Sequence, residues 1–419
     1  LCTKWYKLYK PEKPSCQKGD EWLRILQLTW EYPPRIVGGI SRVVRSISQK
    51  LSKDDKVYVV TLSEDYERTE DYGNLKVLRC PVYPLNSLNF IDWVMMMNMA
   101  LAEKAIYIAQ KEGRFDIIHA HDWLVAFAAR IVKYALRIPL VATIHATEHG
   151  RNGGIHTDMQ RFIHNVEWWL TFEAWKVIVN SEFMKNECER IFSLTPDKCI
   201  VIPNGIDFEE FATTPFDWDF RRRYALDSEK IIFFIGRHVY EKGIHILIEA
   251  FRKVLDNFPD AKLIIAGNGP MTGELYSKAH FLGLSHKVLF TGFVSDEERK
   301  KLFKVADIAV FPSLYEPFGI VALEAMASGC STVVSDIGGF SEIVKHLHNG
   351  LTFYCANPNS LADMILLLLK DDLLRQRLSR QAQSDAKEIY SWDKIVKRLK
   401  SVYEMIVTEA KGMEWFSSL

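Results

Sequence analysis

The run Phe311-Pro-Ser-Leu-Tyr-Glu316-Pro-Phe-Gly319-Ile-Val-Ala-Leu-Glu324-Ala-Met sets two carboxylates around a strand, a loop and a helix that should start near Phe318 or Gly319. Free amides at Gly319, Ile320 and Val321 make an anion site at such a helix start, strengthened by the helix dipole. Gly319 leaves room for a phosphate against the backbone. Less than two turns of helix separate it from Glu324, so Glu324 can face the cleft while Glu316 stays in the loop ahead. The layout suits a sugar carried on a nucleoside diphosphate: amides hold the phosphates, Glu316 accepts from sugar hydroxyls and Glu324 from ribose hydroxyls.

Ile231-Ile-Phe-Phe-Ile-Gly236-Arg237-His-Val-Tyr-Glu-Lys242-Gly243 reads as a buried strand ending in glycine with two cations close behind. A departing diphosphate gathers negative charge, which fixed cations stabilise most in a dry cleft, and Arg237 and Lys242 are the candidates. Gly267-Asn-Gly269-Pro270 is a glycine turn after another strand, giving backbone room for a nucleotide; Gly273 comes one residue late for a dinucleotide fingerprint. Phe290-Thr-Gly292 ends a further strand and could offer backbone groups to the base.

In the first half, Trp30-Glu-Tyr-Pro-Pro-Arg-Ile-Val-Gly38-Gly39-Ile40 follows a strand and precedes a helix at about Ser41, so Gly38 and Gly39 permit close approach of a diphosphate. Ile118-His119-Ala-His121-Asp122-Trp123 and Thr143-Ile-His145 also sit at strand ends. His145 is expected to hydrogen-bond a sugar hydroxyl, Asp122 to position the acceptor, and Trp123 to offer a flat face for stacking. His119 and His121 lack a third ligand nearby, and Asp217-Trp-Asp219 lies in a polar linker, so no metal is expected.

Elements must place these groups together. Trp22–Thr29, Lys56–Leu62, Asp116–Ala120, Leu140–Ile144 and Val177–Asn180 read as buried strands alternating with helices. A second series, Ile231–Ile235, Ala261–Ala266, Val288–Phe290, Ile308–Phe311 and Ser331–Ser335, follows a boundary near residues 203 to 225. The expectation is an α/β chain of two Rossmann-like, doubly wound domains facing a central cleft. Residues 1–20 read as an extension or linker, 21–205 as the acceptor domain, 206–390 as the nucleotide-sugar domain and 391–419 as a terminal helix.

A chain of 419 residues suits two domains, and 53 basic against 53 acidic residues give no call for nucleic acid. Seven cysteines without a CxxC pair argue for a reducing, cytoplasmic setting. The longest apolar runs, such as Met364 to Leu369, fall far short of the roughly 20 residues a membrane span needs. A start at Leu1 without methionine is expected of a fragment of a longer chain. Nothing in the sequence fixes the oligomeric state.

Taken together, the motifs resemble family 4 and the related glycogen and starch synthase families of retaining glycosyltransferases, which share the GT-B fold, over roughly residues 22 to 410. Val37-Gly-Gly-Ile40 resembles their glycine loop, His119 to Trp123 with Thr143-Ile-His145 resembles glycogen synthases in particular, Arg237 with Lys242 matches their phosphate-binding cations, and Glu316 to Glu324 their Glu-x7-Glu signature. Ile36 stands where glycogen synthases carry a lysine, with Arg35 beside it. The resemblance implies metal-free transfer of glucose from UDP-glucose or ADP-glucose to an α-1,4-glucan, with His145, Arg237, Lys242 and Glu316 catalytic and Gly38, Gly39, Gly236, Gly267, Phe290, Gly319, Ile320, Val321 and Glu324 binding the donor. It implies front-face displacement, and a last helix, Tyr390 to Val407, that crosses back to the first domain. A transferase making a disaccharide or glycolipid remains open, with Glu148 to Gly154 as the segment that would differ. A non-catalytic glucan-binding protein is opposed by the intact Arg237, Lys242, Glu316 and Glu324.

Overall fold

The structure is a computed structural model describing residues 22–83 and 89–413. The expected extension 1–20, including Cys2 and Cys16, lies outside the described residues. The first sheet holds β1 (Arg24–Leu28), β2 (Lys56–Ser63), β3 (Arg68–Asp71), β4 (Leu75–Pro81), β5 (Ile117–His121), β6 (Leu140–Ile144), β7 (Lys176–Val179) and β8 (Cys199–Val201), in the order β3-β4-β2-β1-β5-β6-β7-β8. It is parallel except for β3, which pairs antiparallel with β4. The second holds β9 (Lys230–Ile235), β10 (Ala261–Ala266), β11 (Val288–Gly292), β12 (Ile308–Phe311), β13 (Ser331–Ser335) and β14 (Leu351–Phe353), in the order β11-β10-β9-β12-β13-β14, all parallel.

Continuous apolar strands such as Ile231 to Phe234 are covered on both faces by helices, as parallel sheets require. Strands β3, β4, β8 and β14 lack the long, unbroken apolar run by which the sequence marks the others. β3 is polar, and β8 and β14 are short. β4 is interrupted by Arg79, which is nevertheless buried, because Glu70 on β3 accepts its Nε at 2.6 Å and the Tyr32 carbonyl accepts Nη1 at 3.3 Å. Asp217 serves as a helix cap, accepting from the Phe220 amide at 2.9 Å.

The helix Trp392–Lys411 follows the second sheet but packs on the first domain, burying Trp392, Ile395, Leu399, Tyr403 and Ile406 among Ile25, Val43, Val57 and Ile117. Each such side chain contributes roughly 1.5–3 kcal/mol, so this crossing is firmly held.

Candidate active site

In both sheets the groups singled out above lie just beyond the carboxyl ends of parallel strands, the usual place for ligands in doubly wound folds. The Trp30–Gly39 loop, Asp122 and His145 follow β1, β5 and β6; Gly236 with Arg237, Gly267, and Glu316 follow β9, β10 and β12.

On the second domain, Glu316 is buried, and its Oε2 accepts from Lys242 Nζ at 2.8 Å and from Ser313 Oγ at 3.2 Å. Lys242 is carried on the turn Tyr240–Lys242, which is tied to the Glu316 loop because Leu314 donates its amide to the Glu241 carbonyl at 2.7 Å. Gly319 caps the helix Ile320–Ser328 with φ of +105°, and a side chain there would run into the Phe340 ring. No side chain occupies that cap, so the amides at the helix start are left for a ligand. Gly236 and Gly267 lie side by side: Gly236 donates to the Ala266 carbonyl at 3.1 Å and Gly267 to the Gly292 carbonyl at 2.8 Å.

Across the cleft, the glycine loop faces that helix start, with a β-carbon position at Gly39 only 3.5 Å from Ile320 Cδ1. The loop already holds an anion. Glu31 Oε2 accepts from the Val37 amide at 2.6 Å and the Gly38 amide at 2.9 Å. Gly38 therefore does not present a bare amide to a diphosphate, as the sequence suggested; a buried carboxylate of the same loop has taken it. Glu31 is the residue sequence reasoning missed here, although it stands within the motif.

Other expected site residues have partners that the sequence did not signal. Glu324, expected on the cleft side as a ribose acceptor, is buried, and its Oε1 accepts from Arg299 Nη1 at 2.6 Å. Burial raises the Glu324 carboxyl above its ordinary value, while Arg299 and Arg42 pull it back. Arg237 is 56% exposed and rests 3.5 Å from Glu241, a pair worth well under about 1 kcal/mol, so it is readily released to a ligand. Phe290 stacks its ring on Tyr276 at 4.1 Å and pairs with Ile265 in the sheet. Trp123 does not offer an open stacking face. It is 6% exposed, edge-on to Phe90 at 6.1 Å, because the turn Trp123–Val125 rolls it against the helix Phe90–Glu112.

Asp122 does not reach toward an acceptor either. Its Oδ1 accepts from the His145 amide at 2.7 Å, and its backbone sits at φ +60°, ψ 174°, a conformation that costs of order 1–3 kcal/mol and is overcome only by surrounding contacts. Asp122 thus fixes the loop bearing His145. The His145 ring is buried against His121 (3.2 Å between His145 Nε2 and His121 Nδ1). Burial holds its pKa below the ordinary histidine value, with Asp122 opposing and Arg151 adding to the effect. Burial likewise depresses His119 to about 3, and His121 well below its ordinary value with His119 and His145 adding.

These depressed values have a testable consequence. Below the unfolded value of about 6.5 the unfolded chain takes up protons that the buried rings refuse, so stability present above that pH is lost as pH falls. Glu167 and Glu324, raised by burial, act in the opposite sense, so the test is differential. Between pH 6.5 and 5.5, urea unfolding of His121→Gln should lose about 1 kcal/mol less stability than the unaltered protein. Equal losses would show that His121 titrates normally in the fold.

Tyr315 links the two halves. Its ring, from the loop beside Glu316, is seated in the core of the first domain, where Tyr315 Oη donates to Glu187 Oε1 at 2.8 Å; Thr147 Oγ1 donates to the same oxygen at 2.6 Å. Gly150 makes the seat possible, since a β-carbon there would overlap the Tyr315 ring. Further ties cross the cleft: Ser181 Oγ donates to the Pro317 carbonyl at 2.6 Å, Glu342 accepts from the Phe183 amide at 2.8 Å, and Arg42 pairs with Asp296 at 2.6 Å.

Two such sheets, with opposed strand ends and a Glu-x7-Glu helix start facing a glycine loop, define a glycosyltransferase of GT-B architecture. Residues 37–210 match the model for Glycosyltransferase Family 4, and residues 216–385 that for Glycosyl transferases group 1. An uncharacterised glycosyltransferase of Methanocaldococcus jannaschii is 41% identical over 389 residues, 91% of this chain and 98% of that protein. The chain belongs to glycosyltransferase family 4. A glycogen synthase of Mycobacterium tuberculosis is 32% identical over 401 residues, 91% of this chain and 94% of that protein. In architecture it is similar to a sucrose-phosphate synthase from Thermosynechococcus elongatus, with a TM-score of 0.80 and 21% identity over 92% of this chain and 100% of that one. Among the described residues no helix is long and apolar enough to cross a membrane.

Proposed function

We propose that the protein is a retaining glucosyltransferase that moves glucose from UDP-glucose or ADP-glucose to an α-1,4-glucan. The observation that carries the reading is the Lys242–Glu316 pair beside the uncapped helix start at Gly319, opposite the glycine loop. In this reading the amides of Gly319, Ile320 and Val321 hold the diphosphate, and Arg237 leaves Glu241 to join Lys242 on its oxygens. Glu316 accepts from sugar hydroxyls, His145 meets the same sugar from the other domain, and Glu324 shares the ribose with Arg299.

The bond from the sugar's anomeric carbon to the leaving phosphate breaks as a bond forms from the acceptor oxygen on the same face. The acceptor's proton passes to a phosphate oxygen, so no carboxylate nucleophile is required. The positive charge comes from Arg237 and Lys242, and no metal is called for. The glucan acceptor is supported by the likeness over nearly the whole chain to a glycogen synthase. The same reading places the protein in a reducing, cytoplasmic setting, which suits seven cysteines without a CxxC pair.

Incubating the purified protein with radiolabelled UDP-glucose or ADP-glucose, with and without glycogen, tests the reading. Label is expected in the precipitated polymer only when glycogen is present. Label appearing solely in a small soluble product would move the acceptor assignment to a disaccharide or glycolipid.

A further inference from the structure

Tyr403 lies on the crossing helix, is fully buried, and belongs to no motif of the active site. A tyrosine that only filled the core could be a phenylalanine, since burying an unpaired hydroxyl is unfavourable. Here the hydroxyl is the centre of a hydrogen-bonded chain. Gln27 Nε2 on β1 donates to Tyr403 Oη at 3.2 Å, and Tyr403 Oη lies 2.5 Å from His119 Nδ1 on β5. His119 Nε2 continues to Thr143 Oγ1 on β6 at 2.6 Å. On the other side, Gln27 Oε1 lies 2.7 Å from His121 Nε2, and His121 Nδ1 meets His145 Nε2 at 3.2 Å.

The protons in this chain are interdependent. A carbonyl oxygen only accepts, so Gln27 Oε1 requires a proton on His121 Nε2. The neutral His121 ring then has a bare Nδ1, which requires a proton on His145 Nε2. His145 is left with a bare Nδ1, an acceptor. In this sense Gln27 donates to Tyr403, whose own proton goes to His119 Nδ1 while His119 Nε2 donates to Thr143 Oγ1. With the hydroxyl in place, turning the amide over would require all three of these groups to reverse their donations together. Without that hydroxyl the amide can turn over, donate to His121 Nε2, and shift the proton of His145 from Nε2 to Nδ1, with no proton gained or lost overall. Buried networks of this kind fix ring orientation as well as tautomer.

We propose that Tyr403 is a positioning residue for His145: through Gln27 and His121, the C-terminal crossing helix sets which nitrogen of His145 is free to accept from the donor sugar. The inference rests on the reading that His145 meets that sugar. It makes the terminal helix part of the active site's working order rather than a strap around it.

The test uses Tyr403→Phe in the full chain labelled with 15N-histidine, with Gln27→Met as a companion that breaks the same chain at its other link. Long-range proton–nitrogen spectra of the ligand-free protein, with His145 assigned by its loss in His145→Ala, should show one neutral His145 tautomer bearing its proton on Nε2. In each folded variant the His145 signals should move to a mixture or to the Nδ1-protonated form. In the transfer assay kcat should fall on the order of tenfold or more while donor KM stays nearly constant, because a misaligned group costs turnover before affinity. An unchanged His145 spectrum in the folded variants would overturn the coupling. Full turnover by His145→Ala would instead overturn the role of His145 in transfer, and the spectra would still judge the coupling.

Discussion

Glu316→Ala is expected to lower kcat by on the order of 10²–10³-fold, the loss seen when one preorganised charge-stabilising contact is removed from an active site. The carboxylate is held by Lys242 and Ser313, with its loop clamped to the turn that carries Lys242. Lys242→Ala should give a similar loss by a different route, removing a cation from the leaving phosphate and freeing Glu316 to swing. Because the two act as one unit, the double variant should be far less impaired than the product of the single losses. Circular dichroism should show both single variants folded, since the pair is not fully buried: the Lys242 side chain keeps 24% of its exposure. Full activity in either folded variant would contradict the placement of the diphosphate here.

Gly150→Ala is the second large effect expected. The new methyl group would occupy the space of the Tyr315 ring, and overpacking of this kind costs typically 1–3 kcal/mol if the ring stays. The less costly response is for Tyr315 to leave its seat, breaking its bond to Glu187 and withdrawing the adjoining Glu316 from the first domain. The expected result is a turnover loss of at least about tenfold with a larger radius of gyration by small-angle scattering. Tyr315→Ala in the same background removes the clash and should restore stability to unfolding, while turnover stays low because the tie to Glu187 is lost. A Gly150→Ala protein with unchanged scattering and turnover would show that the seat is dispensable.

Sequence reasoning reaches the parts of this molecule that are local in the chain. Ile231 to Phe234 and Leu140 to Ile144 announce buried parallel strands by their unbroken apolar character, and Gly319 announces a helix start. Glu316, Lys242, Arg237 and His145 are visible because each stands just past such a strand. What stayed hidden depends on partners distant in sequence. Arg299 closes on Glu324 from another helix, and nothing around Arg299 signals it. Tyr403 meets Gln27 from 376 positions away, and its amphipathic helix advertises burial without advertising a hydroxyl's partner. Trp123 and Asp122 were misread in one way: a strand-end position was taken to mean exposure, whereas a turn buries the one and the His145 amide occupies the other. Glu31 was legible in principle, as a carboxylate beside two glycines with no cation to pair in its own loop except Arg35. Arg35 instead pairs with Glu64.

The stereochemistry of transfer tests the account most directly. With UDP-glucose or ADP-glucose, both α-configured, and a short maltooligosaccharide, proton NMR of the first product reports the anomeric configuration of the new bond. An α-1,4 linkage is the predicted result, formed on the face the phosphate leaves. A β-linked product would contradict front-face displacement in the cleft between Lys242, Glu316 and His145.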